Sequence, residues 1–488
     1  MNRSWPEFYR RWRREGLEAG ACREAGGSPA PPPERLLQAV WRHQRLLRDR
    51  LRTLDGRRLR ILHPGFHNVE AGPDFQGAVV QFEGEPARAG DVEVDVAASG
   101  WEGHGHHTNP AYGRVILHVV WEPAAAAGPG RPTMALCESL DAPLEELEEW
   151  LGSEAARRWP EECRGRCFDA LGGMAAEGRR ELIRQAARVR FEGKAREVRA
   201  RARQVGWDAA LAETMFRVLG YKHNAWPMQR LAELVGWGAF EGGVAEAMGE
   251  PVLGWQARLL GLAGMLPEEL SAVPAGSRRY VRRLWDVWWR ERSGWLEAIL
   301  PSACWHRHGQ RPANHPHRRL ALAAHWLARP GLPGEIEAWF VLGQPAAEAI
   351  PALGHLLQAG PDEFWDVRCT LRSRGRGEPQ PLLGGARLSG LAVNAILPWL
   401  WARADAGRNE ALRGRAEALY AAWPKGEDNR VLGLARDRLL GPSSGRELRT
   451  AADQQGLLQI VRDFCDRSNA ICAGCDFPAR LRELESRG

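Results

Sequence analysis

The stretch that decides the fold reads Gly65-Phe-His-Asn-Val-Glu-Ala-Gly-Pro-Asp74-Phe at its beginning, Gly90-Asp-Val-Glu-Val-Asp-Val96 at its centre and Val115-Ile-Leu-His-Val-Val-Trp121 at its end. In the central segment apolar residues alternate with carboxylates, which is the period of a β-strand. The alternation puts Asp91, Glu93 and Asp95 on one face. The sequence therefore predicts a sheet in which one strand carries a row of acidic side chains.

This acidic row indicates a cation site. No lysine or arginine lies between the three carboxylates, so their mutual repulsion would raise their pKa values unless a cation binds. A divalent metal, Mg²⁺ or Mn²⁺, is the simplest such cation.

The preceding strand, predicted over residues 77–83, brings a further carboxylate. If the hairpin turns at Gly84-Glu85, Asp74 lies opposite Asp95 and about 7–8 Å diagonally from Glu93, a span that one metal ion could bridge. A turn nearer residues 87–88 would separate them too far. The sequence leaves both turns open.

A histidine-rich loop follows the acidic strand. His104, His106 and His107 lie among glycines, and metal binding or general-base catalysis by at least one of them is one interpretation. A structural loop is the other. His118, in the next strand, is interpreted as a hydrogen-bonded buried histidine.

Pro73-Asp74 before one strand and Glu93-x-Asp95 on the next resemble the PD-(D/E)xK nuclease pattern. The resemblance covers residues 59–121 and implies a restriction-endonuclease-like core, with Asp74 and Glu93 as metal ligands. The third position of that pattern is normally lysine and is Asp95 here. Asp95 is then a third ligand, and His104 or His106 supplies a base or a further ligand.

Composition sets broad limits. The 488 residues are enough for about two or three domains, and the net charge of +6 is compatible with nucleic acid as a partner but does not require it. No membrane span or signal sequence is predicted. Nine cysteines in such a chain suggest reduced thiols or metal ligands in the cytoplasm.

The order of the patterns predicts an α+β protein. Four regions are expected: a flexible segment over residues 1–33, a mixed α/β catalytic domain over 34–150, a helical domain over 151–460 and a cysteine-rich element over 461–488. A helix is predicted over residues 34–54. For the tryptophans at 285, 288 and 289, helical spacing favours packing over base stacking.

A second basic cluster surrounds a predicted helix start. Asn314 is expected to cap the helix, and Arg311, Arg318 and Arg319 to flank a site suited to phosphate. The alternative is that these arginines pair with carboxylates and dock the helical domain on the first domain.

Three cysteines near the C-terminus, Cys465, Cys472 and Cys475, have a spacing that lets one loop bring three thiols to zinc or an iron–sulfur cluster. The spacing is similar to the first three ligands of the iron–sulfur loop in endonuclease-III-like glycosylases, whose expected fourth position is Leu481 here. A remote ligand is then needed. Cys163, Cys167, Cys304, Cys369 or a histidine are the candidates.

A wider set of motifs covers residues 34–475. It comprises Gly65-x-His-Asn-x3-Gly-Pro-Asp, Gly90-Asp-Val-Glu, His104-Gly-His-His-x-Asn-Pro, Arg311-Pro-x-Asn-x-Pro-x-Arg-Arg, Asn394-x2-Leu-Pro and the terminal cysteines. Together they resemble an uncharacterised bacterial family, domain of unknown function 2851. In that pattern Asp95 is commonly histidine and Asn109 commonly aspartate.

Three functions follow as expectations. The first is a metal-dependent phosphodiesterase, a nuclease acting on DNA or RNA. The second is a non-catalytic scaffold that binds nucleic acid or protein. The third is a zinc hydrolase of a different substrate, using the histidine-rich loop.

Overall fold

The computed structural model describes most of the chain. The described residues are 32–68, 72–104, 106–107, 109–123, 131–144, 146–147, 168–221, 223–237, 249–307, 312–427, 430–440, 448–465, 477, 479 and 481. They form an N-terminal sheet followed by a largely helical region, so the α+β class is confirmed.

The N-terminal part is one helix on a six-stranded mixed sheet. The strand order is β1-β3-β4-β5-β6, and the short β2 pairs with β3 beside β1. Strands β1 to β4 pair antiparallel, whereas β5 runs parallel to both β4 and β6. The elements are α1 (Glu34–His43), β1 (Leu59–His63), β2 (Phe66–His67), β3 (Phe75–Phe82), β4 (Arg88–Val94), α2 (Gly100–Gly103), β5 (Val115–Val120) and β6 (Thr133–Ala135).

Helix α1 covers one face of the sheet. Its apolar side packs in one core with Val92 and Val94, which point away from the acidic row. The helix ends at His43 rather than at the predicted residue 54, because Gln44 adopts a left-handed conformation with φ of 50°.

The remaining helices pack into two further apolar cores, a larger one and a smaller one. They are α3 (Phe168–Gly173), α4 (Ala176–Val205), α5 (Trp207–Leu219), α6 (Ala225–Val235), α7 (Pro251–Leu262), α8 (Ala275–Glu291), α9 (Pro316–Leu327), α10 (Leu332–Val341), α11 (Ala346–Leu357), α12 (Gly385–Leu391), α13 (Leu397–Ala406), α14 (Glu410–Ala422), α15 (Arg430–Leu439) and α16 (Ala451–Ile460), with π-helical turns at Ala392–Ile396 and Val461–Cys465. Among the described residues, no helix combines the length and the apolar character needed to cross a lipid bilayer.

The sheet joins the helical region through β1. The carbonyl oxygen of Leu62 accepts a hydrogen bond from Trp226 Nε1 at 2.9 Å and lies 3.9 Å from Cys304 Sγ. Leu62 and Val79 belong to the apolar core of the helical region. The second face of the sheet is therefore partly covered by the helices.

Helices α4 and α16 cross at very short range. A Cβ atom added to Gly456 would lie 2.1 Å from the carbonyl oxygen of Ile183, which is far below van der Waals contact. We therefore expect Gly456→Ala to lower the free energy of unfolding by about 1–3 kcal/mol, since the helices must separate. Chemical denaturation measures this loss.

The matched control for that substitution is Gly193→Ala in α4, where an added Cβ meets nothing within 4 Å. We expect it to be neutral or to stabilise by up to about 1 kcal/mol, because alanine has the higher helix propensity. Equal losses in the two variants would contradict the crossing as the cause.

Candidate functional site

The hairpin of β3 and β4 brings the carboxylates together with a register that differs from the predicted one. The turn includes Gly84, as expected, and Ala78 pairs with Gly90. A bulge then shifts the register, so that Phe75 pairs with Val92. Asp74 consequently lies beside Glu93 rather than opposite Asp95. The turn already shifts the predicted register by one residue, which would put Asp74 opposite Val94, and the bulge shifts it by one more.

Asp91 holds the bulge in place. Its Oδ1 accepts a hydrogen bond from the backbone N–H of Gly77 at 3.0 Å, and Gly77 has a φ of 68°, which a residue without Cβ adopts at least cost. The Asp91 carboxylate is thus occupied by a main-chain hydrogen bond, whereas Glu93 and Asp95 face the histidine-rich loop.

The carboxyl groups of Asp74 and Glu93 each accept a hydrogen bond from a main-chain N–H of the neighbouring strand segment. The N–H of Asp74 donates to Glu93 Oε2 at 3.0 Å, and the N–H of Val94 donates to Asp74 Oδ2 at 3.1 Å. Burial raises the pKa of Glu93 to about 9, and the neighbouring Asp74 adds to the rise. Burial also raises the pKa of Asp74 to about 7, with Glu34 and Asp95 contributing.

Helix α1 contributes two residues that sequence reasoning missed. Gln38 Nε2 donates to Asp74 Oδ1 at 2.9 Å and to Glu34 Oε1 at 3.0 Å. Burial, with a contribution from Asp95, raises the pKa of Glu34. Their i, i+4 spacing puts both on one side of the helix, which is a visible signal, but nothing in the sequence says which strand that side meets.

The parallel pairing of β4 and β5 places the histidine-rich loop over the acidic row, because a parallel pair needs a crossover connection. His104 Nδ1 lies 3.2 Å from Asp95 Oδ1. On the other oxygen of the same carboxylate, His118 Nε2 forms a hydrogen bond of 2.9 Å. His118 is buried, so its predicted role as a hydrogen-bonded core histidine is confirmed.

His106 lies between Glu93 and the pair formed by Asp95 and His104. Its Nε2 lies 3.2 Å from Glu93 Oε1. The angle does not allow a hydrogen bond, and this buried nitrogen has no hydrogen-bond partner among the described residues. Burial lowers the pKa of His106, which favours the neutral ring with a free lone pair.

A compact set of three possible metal ligands results. One ligand atom each from Asp95, His104 and His106 lie within 4.8 Å of one another. The loop thus places His104 and His106 where the sequence analysis expected a base or a further ligand. His107 is exposed to solvent.

An aromatic layer fixes the histidines. The ring of Tyr112 stacks on His106 with centroids 3.9 Å apart, and Trp101 contacts both His106 and His118 edge-on. The guanidinium of Arg131 lies 3.8 Å over the Trp101 ring. Burial raises the pKa of Tyr112 to about 12, so its phenol stays protonated near neutrality.

The carboxyl groups of the site lack lysine and arginine partners among the described residues. In the part of the chain that the structure describes, none of Glu34, Asp74, Glu93 and Asp95 forms an ion pair with lysine or arginine. Histidine nitrogens lie about 3 Å from the carboxyl oxygens of Glu93 and Asp95 instead, at 3.2 Å for His106 and at 3.2 and 2.9 Å for His104 and His118. Clustered carboxylates with an unpartnered imidazole nitrogen are a donor set that suits a divalent metal ion.

The basic cluster does not form the expected phosphate site. Arg318 donates to four carbonyl oxygens, those of Trp365, Arg368, Gln380 and Pro381, and Arg319 to those of Leu382 and Ala313. Both are buried. Their guanidinium groups therefore serve loop carbonyls rather than phosphate or carboxylates. Arg311 lies outside the described residues.

Asn314 also has another role than the predicted one. The cap of α9 is His315, whose side chain accepts from the N–H of His317. Asn314 Oδ1 instead accepts from the Tyr221 hydroxyl, Arg319 and Arg387. Asn314 therefore links the segments that carry Tyr221, Arg319 and Arg387 through hydrogen bonds.

Most of the cysteine cluster lies outside the described residues, including Cys472, Cys475, Cys163 and Cys167, as does the side chain of Cys465. Leu481 is buried in an apolar cluster with Phe477. Burial raises the pKa of Cys304 to about 12 and its sulfur faces β1, so it is a poor fourth ligand. Cys369 is buried and forms no disulfide.

Comparison with known proteins identifies the family. Residues 34–430 match the family described as "Protein of unknown function (DUF2851)". No curated protein and no solved structure matches the chain. Because the match covers most of the chain, this protein belongs to the DUF2851 family.

Proposed function

We propose that this protein is a metal-dependent phosphodiesterase that cleaves nucleic acid, with Asp74, Glu93 and Asp95 as ligands of Mg²⁺ or Mn²⁺. The observation that carries the proposal concerns Asp74, which is half-buried, and Glu93, which is buried. The Asp74 N–H donates to the Glu93 carboxylate, and neither carboxyl group has a lysine or arginine partner among the described residues. Such a pair resists ionisation unless a cation lies beside it.

The order of the elements supports the proposal. A helix, antiparallel strands, a histidine-rich connection and a further strand follow one another as the nuclease resemblance implies. Asp74 immediately precedes β3, and Glu93-x-Asp95 lies at the end of β4. A restriction-endonuclease-like core therefore remains our preferred description of this part.

Each group of the site has a separate role in the proposed reaction. A divalent ion, when bound, would stabilise charge on the phosphoryl oxygens and lower the pKa of a bound water. His106 is neutral and has a free nitrogen next to Glu93, so it can accept a proton. Asp95 cannot replace the usual lysine as a cation. Besides its proposed role as a metal ligand, it positions His104 and His118.

The direct test is cleavage. Purified protein with Mn²⁺ is expected to cut DNA or RNA, and without divalent metal it is expected to cut neither. Salt-sensitive retention of nucleic acid without cleavage would instead favour the binding scaffold.

A second candidate, a zinc hydrolase of a different substrate, is favoured by the compact set of Asp95, His104 and His106. Two imidazoles and a carboxylate are a common zinc donor set. In that case purified protein carries stoichiometric zinc, which is lost in His104→Ala and His106→Ala. Metal analysis separates the two candidates.

The pH dependence of stability offers a third test. Both Asp74 and Glu93 have raised pKa values in the folded chain, so the folded state binds more protons and loses stability as pH rises. The loss runs from ordinary carboxyl values near 4 up to about 7 and about 9. We expect the melting temperature of metal-free protein to fall over this range, and to fall less in Asp74→Asn/Glu93→Gln.

Metal should reverse that loss. At about one hundred times its dissociation constant, Mn²⁺ stabilises the native state by about 2.7 kcal/mol, and the shift should be larger at pH 8 than at pH 5.5. The double variant is the control and should show no shift. Identical pH profiles for wild type and double variant would count against the carboxyl pair.

For the terminal cysteines we propose zinc or an iron–sulfur cluster, on the spacing of Cys465, Cys472 and Cys475 alone. Absorbance in the visible blue after anaerobic purification would indicate a cluster. Colourless protein with bound zinc would indicate zinc.

A further inference from the structure

The solvent face of helix α8 is basic. Its inner side packs in the helical core through Val281, Leu284 and Val287. The helix contains five arginines and two acidic residues, a formal charge of +3, compared with +6 for the whole chain. Helix α8 is therefore basic, although the longer α4, with ten basic and four acidic residues, carries a larger formal charge of +6.

Several of these arginines have no partner. Arg283 pairs with Glu250 and Arg278 donates to the carbonyl oxygen of Val273. Arg279, Arg282 and Arg290 are exposed and form no ion pair or hydrogen bond with other described residues.

Helix α4 is the other strongly basic helix, and part of its exposed arginines are paired. On α4, Arg184 pairs with Glu181. Arg188 pairs with both Glu192 and Glu417. Arg180 and Arg203 of α4 are exposed and have no partner among the described residues, so free guanidinium groups alone do not distinguish α8.

An exposed tryptophan lies on the same face. Trp288 is buried, as the sequence analysis expected, but Trp289 is 65% exposed, so packing was the wrong prediction for it. The guanidinium of Arg292 lies 4.6 Å over its ring. Trp285, anchored by a 2.7 Å bond to the carbonyl oxygen of Pro267, tilts towards it at 6.4 Å.

The two tryptophans border an open depression of about 340 Å³, lined by Trp285, Asp286, Trp289 and Arg290. Asp286 is the acidic residue on this lining, and its carboxylate can accept a hydrogen bond from a base amino group. An exposed aromatic ring among free arginines is the combination that binds single strands, with bases stacked on the ring and phosphates on the cations.

We propose that the outer face of α8 binds single-stranded nucleic acid. A base stacks on Trp289, and the backbone on either side contacts Arg279, Arg282 and Arg290. Arg282 and Trp289 are seven residues apart, about 10 Å along the helix, which matches a short nucleotide segment. Duplex bases are already stacked, so the ring discriminates against duplex. This inference rests on the proposed function and names its substrate class.

The test measures binding apart from cleavage. Fluorescence anisotropy of a labelled oligothymidine of about 20 nucleotides is recorded with EDTA, in full-length protein carrying Asp74→Ala. Arg279→Gln/Arg282→Gln should weaken binding by about tenfold and reduce the slope of log affinity against log salt by about 1.4. Trp289→Ala should weaken binding by about tenfold or more, and Trp289→Phe should restore most of it.

Two control variants make the same kind of change away from α8: one removes two positive charges, and the other removes one exposed apolar side chain. Arg180→Gln/Arg203→Gln removes two exposed arginines from α4, and Leu342→Ala removes an apolar side chain that is 72% exposed. Both should bind as the parent protein does. Duplex of equal length should be insensitive to Trp289→Ala.

Two results would overturn the inference: unchanged oligothymidine binding in the α8 variants, or an equal loss in the α4 control. Cleavage by protein with intact Asp74 is scored separately. Weakened binding in α8 variants of a protein that cuts nothing supports this face and removes the phosphodiesterase. Cleavage by the intact protein together with unchanged binding in the α8 variants supports the phosphodiesterase and removes the α8 face as the binding surface.

Discussion

Asp74→Ala is expected to reduce Mn²⁺-dependent cleavage by about a thousandfold, because it removes one of the carboxylates that would hold the metal, and metal stabilisation of the transition state is worth several kcal/mol. Glu93→Gln should have a similar effect. The rate of cleavage of a labelled substrate at saturating Mn²⁺ measures it.

The control is Asp91→Asn on the same face of β4. It removes the same charge two residues from Glu93, yet its amide oxygen can still accept from the N–H of Gly77. It should keep most of the activity. Circular dichroism and melting curves check that all three variants remain folded, and undiminished cleavage by folded Asp74→Ala would eliminate the proposed site.

Arg318→Met is expected to lower the free energy of unfolding by about 3 kcal/mol or more. The substitution leaves four carbonyl oxygens without their charged donor, and each buried unsatisfied acceptor costs about 1–3 kcal/mol unless water reaches it. Chemical denaturation of the full chain measures the loss.

The matched control is Arg374→Met, an exposed arginine in the same part of the chain, which should change stability by less than about 0.5 kcal/mol. If Arg318 were a phosphate ligand, its loss would weaken binding of nucleic acid and leave stability nearly unchanged. That pattern would contradict the structural role.

The acidic row was predictable because a period of two is local information. Asp91, Glu93 and Asp95 had to share a face once the segment was a strand, whatever it paired with. The crossover loop was less certain, since only the parallel pairing of β5 with β4 brings His104 and His106 over that row.

The partner of Asp74 was not predictable from spacing. The turn and the bulge between Phe75 and Ala78 each shift the register by one residue, which together move the partner from Asp95 to Glu93. A shift of this kind depends on where single main-chain residues are left unpaired. Glu34 and Gln38 were missed for a related reason. They reach the site through helix docking, which no local pattern records.

The basic residues show the same division. Arg318 and Arg319 looked like a phosphate site because arginines near a helix start are typical of one. Whether a guanidinium meets an anion or a loop carbonyl depends on the fold of residues 365–382, about 50 positions away. The sequence predicted the same packing role for Trp288 and Trp289. In the structure Trp288 points into the helical core and Trp289 points into solvent.

By itself the sequence determined the α+β class, the acidic strand and its neighbouring histidines, because these follow from periodicity and from residues close in the chain. Only the tertiary structure decided which carboxylates meet, that α1 adds Glu34 and Gln38, that two arginines are structural and that Trp289 faces solvent. Contacts between distant segments depend on strand register and helix docking, and these are set by the packing of the whole core.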